Sequence, residues 1–426
     1  MPLASLFYWE AVKHTRHPFP NLPLQSLGRR GIIACCYVER GAFLNIAQFS
    51  ETYPPQLDGV GRVMMAYCRT LERMGHRCVY VAPRDVRNTP PDGFETLLYP
   101  GVGIPNEPYR VGIPLLSRHY RRTIAQMPLD VVHAHTPFLA GSAARRIARK
   151  RGIPLVATFH SKYYDDFYRA THSRWLARLG VRHVVRFFQS CDEVWTVNER
   201  TGQVLRDYGY RGEIVVMPNG TDPAFLSERD YLSELSQFSL RQGVPTLLFV
   251  GQMDKKKNPH LVLEACALLR ERGMDFQLIM VGHGQDEKRL RELCHERGLD
   301  GQVLFTGFIA RRETMLALFR RADLLVFPSL YDNAPMVVRE AAVMGTPALL
   351  VADSCAAEGV EHGVNGFLCA LNATDIARGI EEALPLADEV GERARDTIPI
   401  PWDRLMQAVL ARYGNLIDHK RERRPA

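Results

Sequence analysis

Short apolar runs alternate with longer amphipathic stretches along most of the chain. Runs at 44–50, 78–82, 130–135, 154–159, 193–197 and 214–217 predict the strands of a first half, and runs at 246–250, 276–281, 303–306, 324–327 and 347–351 predict those of a second. The stretches between them, such as 260–272 and 287–297, have a helical pattern. Strands that alternate with helices are typical of parallel sheets with helices on both faces. We therefore predict an α/β protein with two doubly wound, Rossmann-like domains.

The domain boundaries follow from this alternation of strands and helices. We assign 44–225 to the first domain, 226–244 to a linker and 245–400 to the second domain. Residues 401–426 read as an amphipathic helix that packs back across the domains, followed by a basic tail. Residues 1–43 contain prolines and basic residues without a clear period, and we interpret them as an N-terminal extension of little structural weight, predicted to be disordered.

The composition places the chain among ordinary globular proteins. Of its 426 residues, 46% are hydrophobic and 24% are charged, which excludes a mainly disordered chain. No apolar run approaches the ~18 residues of a membrane span, and the first residues lack the pattern of a signal peptide, so we expect a soluble, cytoplasmic protein. The nine cysteines include no C-x-x-C pair, which favours reduced thiols over disulfides or a zinc site.

The positive charge is modest overall but locally ordered. A net charge of +7 is too small to indicate nucleic-acid binding, and we expect no nucleic-acid partner. Arg174, Arg178, Arg182 and Arg186 recur every fourth residue, which on a helix forms one cationic stripe with apolar residues beside it. Such a helix is suited to an anionic membrane surface. A solvated face of a domain helix explains the pattern equally well.

Glycines follow the first predicted strand, in the sequence Asp58-Gly59-Val60-Gly61-Arg62 at the start of a helix. Gly59 and Gly61 would let backbone N–H groups approach a phosphate at the helix N-terminus. Only two glycines are present, so the motif is not a complete dinucleotide fingerprint. The steric needs of a tight turn are the alternative explanation.

Histidines occupy the end of the third strand. Ligands of open parallel sheets bind beyond the carboxyl ends of the strands, where His135 is the last strand residue and a better candidate than His133. A histidine there can donate a hydrogen bond to a sugar hydroxyl or assist proton movement. His160 also ends a strand, and both a structural and a functional role are open for it.

Two turns of the second half carry charged candidates. Residues 249–258 contain Lys255, Lys256 and Lys257, which supply positive charge for a diphosphate or are simply solvated. After the strand 324–327, Asp332 lies in a loop and Glu340 about two turns along the next helix. These carboxylates could accept hydrogen bonds from sugar and ribose hydroxyls while loop amides face phosphate, unless they are ordinary surface charges.

As a set, these motifs resemble the retaining nucleotide-sugar glycosyltransferases of the GT-B fold, family 4. The resemblance runs in order over about residues 44–415. The matching segments are Pro54-Pro55 with Gly59 and Gly61, His135, Pro218-Asn219-Gly220-Thr221-Asp222, Val250-Gly251-Gln252 with Lys257, Asp332 with Glu340, and Asn365-Gly366.

Two residues depart from the family pattern. Gln252 stands where the family usually has a phosphate-binding arginine, so a fixed charge and a bidentate fork are lost. We expect Lys257 to compensate. Asp332 replaces the first glutamate of the family pair and is one methylene shorter, which leaves the identity of the sugar open.

The resemblance implies an enzyme that transfers a hexose, with retention of anomeric configuration, from a nucleotide diphosphate sugar of the UDP-glucose or GDP-mannose type. It implies that Lys257 stabilises the leaving diphosphate, that Glu340 holds the ribose and that His135 orients the sugar. Family members generally need no metal, so we expect neither a metal nor a cofactor. The other implied contacts are Gly59 and Gly61 to phosphate across the cleft, Gln252 beside the diphosphate, Asp332, Asn333, Ala334 and Pro335 to the sugar, and Gly307, Phe308 and Ile309 along the base.

The acceptor is predicted from two further segments. Residues 136–138 and 160–164 resemble family members that glycosylate diacylglycerol or phosphatidylinositol lipids. The resemblance therefore implies a lipid or lipid-linked acceptor and peripheral attachment at the inner face of the membrane. Transfer to a polysaccharide precursor or a small metabolite, and an inactive relative that only binds sugar nucleotides, remain alternatives. A sugar-nucleotide epimerase would have a different motif set, and a glycan phosphorylase would need a pyridoxal-lysine context.

Overall fold

The protein is described by a computed structural model over residues 43–53, 59–84, 94–103 and 110–423. The predicted N-terminal extension lies outside these described residues, apart from Phe43. Residues 54–58, which include the two prolines of the first motif, and the last three residues of the basic tail lie outside them as well.

The first half of the chain folds around a seven-stranded sheet with the strand order β3-β2-β1-β6-β7-β8-β9. All neighbouring strands in it are parallel. A short antiparallel ribbon, β4 with β5, lies apart from it. The strands are β1 Asn45–Phe49, β2 Arg77–Arg84, β3 Glu95–Pro100, β4 Val102–Gly103, β5 Arg110–Val111, β6 Val131–Ala134, β7 Leu155–Phe159, β8 Glu193–Thr196 and β9 Val215–Val216.

The second half folds around a six-stranded parallel sheet with the order β12-β11-β10-β13-β14-β15. In both sheets the strand order changes side at the first strand of that half, and a crevice forms beyond the strand ends at such a point. The strands are β10 Thr246–Val250, β11 Gln277–Val281, β12 Val303–Gly307, β13 Leu324–Phe327, β14 Ala348–Val351 and β15 Phe367–Cys369.

Helices connect the strands of each sheet. In the first half they are α1 Gly59–Arg73, α2 Arg118–Gln126, α3 Leu139–Arg151, α4 Tyr163–Thr171, α5 Arg174–Phe188 and α6 Glu199–Asp207. In the second half they are α7 Glu228–Leu235, α8 Pro259–Glu271, α9 Glu287–Glu296, α10 Arg312–Arg321, α11 Met336–Val343, α12 Ala373–Ala383 and α13 Ala387–Thr397, and the chain ends in α14 Trp402–Glu422.

Both faces of each sheet are buried. In β1, Ala47 and Phe49 pack into a cluster with α2, α3 and α5, whereas Ile46 packs into a cluster with α1 and α14. In β10, Phe249 faces α8 and α12, and Leu248 faces α10. Alternate strand residues thus enter opposite cores, as expected for parallel strands covered on both sides. The predicted pair of doubly wound sheets is confirmed.

The structure adds detail to two segments of the predicted domain division. The stretch 226–244, assigned to a linker, contains α7, which packs against α10 because Leu226 and Leu235 bury their side chains there. The C-terminal helix α14 follows the second half along the chain and packs back on the first half, against α1. Its apolar stripe, which includes Met406 and Tyr413, completes the core on that face of the first sheet.

Candidate active site

The carboxyl ends of the two sheets meet across a cleft, and the loop between β13 and α11 lies in it. Three side chains of the first half donate hydrogen bonds to backbone carbonyls of this loop. Asn198 Nδ2 bonds to the Asn333 oxygen at 2.7 Å, and Asn219 Nδ2 bonds to the Ala334 oxygen at 3.1 Å. Lys162 Nζ bonds to the Leu330 oxygen at 2.8 Å. The loop predicted to contact the sugar is therefore fixed by residues of the opposite half.

Lys257 and Asp332 form an ion pair in the cleft. Lys257 ends a 3-10 helix directly after β10, and its Nζ contacts Asp332 Oδ1. The two side chains are only 13% and 19% exposed, and Ser329 Oγ donates a hydrogen bond to the other oxygen of Asp332. Asn258 Nδ2 donates to the Pro328 oxygen at 2.9 Å and ties the two turns together. The predicted diphosphate cation and the predicted sugar ligand are thus neighbours.

Tyr331 brings a cation of the first half to the same turn. Its ring lies between Lys256 Nζ, 5.1 Å from the ring centre, and the guanidinium carbon of Arg169, at 5.6 Å. Its hydroxyl donates to Asp166 of α4 at 3.0 Å. Gln252, which precedes Lys256 by four residues, is exposed and carries no charge. Sequence reasoning missed Arg169 and Asp166, because nothing in the pattern of α4 distinguishes them from surface residues.

Glu340 lies on α11 and faces the glycine turn of the first half. Burial raises the pKa of its carboxyl group, and the positive charges of Arg62 and Arg312 lower it in part. Arg312 also pairs with Asp222 at 3.2 Å. Met336, one turn before Glu340 on the same helix, packs against the apolar cluster that includes α1. The predicted ribose ligand therefore lies close to the first turn of α1.

Gly59 and Gly61 begin α1 on the other side of this site. A Cβ atom at Gly59 would meet no atom within 4 Å among the described residues, and its φ is not in the left-handed region. No steric contact with the described residues therefore explains a glycine at this position. Gly61 is buried in the same turn.

Phe308 and Ile309 border a cavity of about 400 Å³ at the end of β12, and Gly307 directly precedes them. Gly307 has φ +73°, and a Cβ there would lie 2.9 Å from the His283 ring, so the turn requires glycine. Phe308 is 62% exposed beside the cavity, and Ile309 is half-buried. The exposed Phe308 ring offers an apolar surface that suits a planar base, and polar side chains such as Glu234 and Arg311 line other parts of the cavity.

Asn333, Ala334 and Pro335 lead from the loop into α11. Asn333 is buried, and its Nδ2 donates to the backbone oxygen of His160. Its Oδ1 is also buried and has no hydrogen-bond partner among the described residues. Ala334 and Pro335 are half-buried at the helix start. This oxygen is an acceptor without a partner, and it is shut off from solvent in the structure.

His133 does not face the cleft but belongs to the core. Its Nδ1 lies 2.7 Å from the Tyr413 hydroxyl of α14, and its Nε2 lies 2.7 Å from Thr158 Oγ1. The ring is fully buried, and burial lowers its pKa well below the usual value. His133 thus joins the C-terminal helix to the first sheet.

His135 lies at the end of β6, as predicted, and both of its ring nitrogens contact protein groups. Nε2 lies 2.8 Å from Gln48 Oε1, and Nδ1 lies 3.0 Å from His160 Nε2. The side chain is 1% exposed, and burial lowers its pKa well below the usual value. His135 is therefore a neutral group that reaches the cleft by way of His160.

Within the ranges that the structure describes, no group of three or more His, Cys, Asp and Glu side chains is arranged to hold a metal ion. No helix among the described residues is long and apolar enough to cross a membrane.

Comparison with known sequences covers both halves of the chain. Residues 57–225 match the protein family described as Glycosyltransferase Family 4, and residues 233–397 match that described as Glycosyl transferases group 1. An alpha-monoglucosyldiacylglycerol synthase of Streptococcus pneumoniae is 26% identical over 323 residues, which are 72% of this chain and 70% of that protein. A GDP-mannose-dependent alpha-mannosyltransferase of Corynebacterium glutamicum is 26% identical over 356 residues, with 81% and 80% coverage.

Solved structures show the same architecture. The Anabaena protein HepE, in complex with UDP and glucose, superimposes with a TM-score of 0.69 and 18% identity over 87% of this chain and 99% of that one. Sucrose-phosphate synthase of Thermosynechococcus elongatus gives a TM-score of 0.73 and 18% identity over 88% and 100%. The predicted GT-B arrangement of two Rossmann-like domains is confirmed.

Proposed function

Because the chain belongs to glycosyltransferase family 4, we propose that it is a retaining hexosyltransferase that uses a nucleotide diphosphate sugar and a lipid or lipid-linked acceptor. The observation that carries this proposal is the Lys257–Asp332 ion pair, held in the cleft between the two sheets. It joins a cation suited to a diphosphate with a carboxylate suited to sugar hydroxyls, at the ends of two adjacent strands.

The donor site is proposed on the second half of the chain. An entering diphosphate replaces Asp332 as the partner of Lys257, so the lysine meets the charge that builds up on the leaving group. The released Asp332 carboxylate then accepts hydrogen bonds from hydroxyls of the transferred sugar. Glu340 holds the ribose, and residues 307–309 lie along the base. Gly59 and Gly61 approach the phosphates from the first half.

The donor is proposed to be of the UDP-glucose or GDP-mannose type. Structural relatives were solved with UDP and with glucose, and one sequence relative is named for its dependence on GDP-mannose. No metal or other cofactor is part of the proposal. An enzyme without a metal must neutralise the negative charge of the diphosphate with its own side chains. The proposed site is surrounded by the positive charges of Lys257, Arg62 and Arg169.

A lipid acceptor is supported by the surface of α5. The arginines of the predicted stripe, Arg174, Arg178, Arg182 and Arg186, are all exposed, and none pairs with a carboxylate of the described residues. Trp175 is 69% exposed, and Leu176 and Leu179 are 41% and 46% exposed on the same helix. Phe187 and Phe188, in contrast, are buried in the core. Unpaired cations beside exposed apolar side chains suit peripheral binding to an anionic bilayer, where a lipid hydroxyl is presented.

The test is a transfer assay with purified protein. UDP-glucose, GDP-mannose and related donors are each incubated with anionic vesicles that contain diacylglycerol, and with soluble acceptors in place of vesicles. We expect nucleoside diphosphate to be released with one donor, together with an α-linked glycolipid. A β-linked product would contradict retention, transfer to soluble acceptors alone would contradict the lipid acceptor, and tight nucleotide binding without transfer would favour an inactive relative.

A further inference from the structure

Glu51 follows β1 and caps α3 from outside that helix. The residue before α3, Phe138, makes no side-chain hydrogen bond to the helix, and Glu51 Oε1 accepts the Ala140 N–H at 2.7 Å instead. The other oxygen, Oε2, is buried and has no hydrogen-bond partner among the described residues. Burial raises the pKa of this carboxyl group to about 7, and because Oε1 already accepts a hydrogen bond, the proton of the neutral form lies on Oε2. This buried O–H donor therefore needs an acceptor.

Two tyrosine hydroxyl groups in the same half of the chain are also unpaired. Tyr99 of β3 and Tyr120 of α2 are 0% and 1% exposed, and their rings pack edge to face with centroids 5.7 Å apart. Neither hydroxyl oxygen has a hydrogen-bond partner within the part of the chain that the structure describes. Burial raises the pKa of Tyr99 well above its usual value, and the charges of Glu51 and Tyr120 raise it further. Since such charge effects weaken with distance, the three groups are neighbours.

Three neighbouring polar groups that are buried without partners would destabilise the fold. A hydroxyl group in a protein interior loses its hydrogen bonds to water on folding, and an unpaired one gains none in return. A water molecule has two lone pairs and two protons, and buried waters typically form about three hydrogen bonds with protein groups that are otherwise unsatisfied. One water molecule can therefore satisfy the carboxyl group and both hydroxyl groups.

We propose that Glu51 Oε2 and the hydroxyl groups of Tyr99 and Tyr120 bind a buried water molecule in the first half of the chain. The water accepts hydrogen bonds from Glu51 Oε2 and from one tyrosine, and it donates a hydrogen bond to the oxygen of the other tyrosine. When Glu51 loses its proton, the water reorients and donates to Oε2. The water thus connects the segment after β1 with β3 and α2 in both charge states of Glu51. None of these groups is assigned to the donor or the acceptor, so the proposal does not depend on the proposed function.

A high-resolution crystal structure of the wild-type protein tests the proposal directly. We expect a water molecule within hydrogen-bond distance, about 2.5–3.2 Å, of all three oxygens. A direct hydrogen bond between Glu51 and either tyrosine, with no water between them, would overturn the proposal. A protein group in the place of the water would overturn it as well.

Tyr99→Phe and Tyr120→Phe each remove one hydroxyl group and keep the ring. A hydroxyl group that bonds to a buried water contributes to stability, so each variant is expected to unfold at a lower urea concentration than the wild-type protein. A hydroxyl group that is buried without any partner destabilises the fold, and its removal would raise the unfolding midpoint. A raised or unchanged midpoint in either variant would therefore overturn the proposal. Tyr168→Phe, at an exposed position of α4, is the matched control and should unfold like the wild-type protein.

Magnetic relaxation dispersion of oxygen-17 water counts the long-lived internal waters of the protein in solution. We expect the double variant Tyr99→Phe with Tyr120→Phe to hold fewer such waters than the wild-type protein, and Tyr168→Phe to hold as many. Equal counts in the double variant and the wild-type protein would overturn the proposal, because the hydroxyl groups would then bond to another part of the chain. These measurements require no turnover, so their outcome is independent of whether the protein transfers a sugar.

Discussion

Glu51 lies directly after β1, with its carboxyl group buried against the first turn of α3. One oxygen accepts a hydrogen bond from the Ala140 N–H at 2.7 Å, and the other is buried without a partner among the described residues. Burial raises the pKa of this carboxyl group from 4.5 to about 7, despite the backbone N–H groups that favour its charged form. Between about pH 4.5 and pH 7 the folded protein therefore keeps a proton on Glu51 that the unfolded chain releases.

This difference makes the free energy of unfolding depend on pH. Raising the pKa from 4.5 to about 7 corresponds to about 3 kcal/mol between the two protonation states. Below pH 4.5 Glu51 is protonated in both the folded and the unfolded chain, so its burial does not lower the free energy of unfolding through ionisation. As the pH rises to about 7 the unfolded chain loses its proton first, so stability falls, and above about pH 7 the full cost applies.

Glu51→Gln keeps an oxygen for the Ala140 N–H and cannot ionise. We expect its stability gain over the wild-type protein to be near zero at pH 4.5 and to reach about 3 kcal/mol above about pH 7. Urea unfolding at several pH values measures the gain. Glu392→Gln, at an exposed position of α13, is the matched control and should show no such trend. A difference between Glu51→Gln and wild type that does not change with pH would refute the reasoning.

Other predictions concern the cleft and the surface of α5. Lys257→Ala should lower turnover about tenfold or more in steady-state kinetics, because one charge contact to the leaving group is worth about 2–4 kcal/mol, whereas Lys255→Ala at the exposed start of the same turn should not. Glu340→Ala should weaken nucleoside diphosphate binding in calorimetry, and unchanged affinity would exclude the ribose contact. Each arginine of the stripe is expected to contribute about 1 kcal/mol to binding at an anionic surface. The wild-type protein should therefore co-sediment with anionic vesicles at low salt, but not at high salt and not with neutral vesicles. A variant in which all four arginines are replaced should not co-sediment under any of these conditions. The four substitutions are Arg174→Gln, Arg178→Gln, Arg182→Gln and Arg186→Gln.

Most strands of the fold could be predicted from the sequence, because strands buried on both faces appear as continuous apolar runs. The runs at 246–250 and 324–327 match β10 and β13 in full. Four strands were missed, namely the two-residue strands β4 and β5 and the edge strands β3 and β15. Glu95–Pro100 mixes polar and apolar residues and lies at an edge of its sheet, and Phe367–Cys369 is only three residues long at the other sheet's edge. Neither of these two edge strands gives an apolar run that can be told apart from a loop in the sequence.

The candidate site could be predicted in part for a topological reason. Parallel strands carry their carboxyl ends to one edge, so residues that follow strands, such as Lys257 and Asp332, meet whatever their separation in sequence. Contacts across the cleft depend on how the two sheets face each other, which no local pattern encodes. Arg169 beside Tyr331 is one such contact. Another is Glu358, whose two oxygens accept the N–H groups of Glu199 and Arg200 at the start of α6, each at 2.7 Å.

Several polar contacts between the two halves converge on the loop between β13 and α11. Asn198 Nδ2 donates to the oxygens of both Asn333 and Cys355, and its Oδ1 accepts the Thr201 N–H at the start of α6. One side chain thus fixes a helix of the first half and two turns of the second. Hydrogen bonds of this kind exchange with water at little net cost, so we expect the two halves to separate more readily than halves joined by apolar packing of the same extent. Because these bonds hold the backbone oxygens of Asn333 and Ala334, we expect the path of this loop to change when they break.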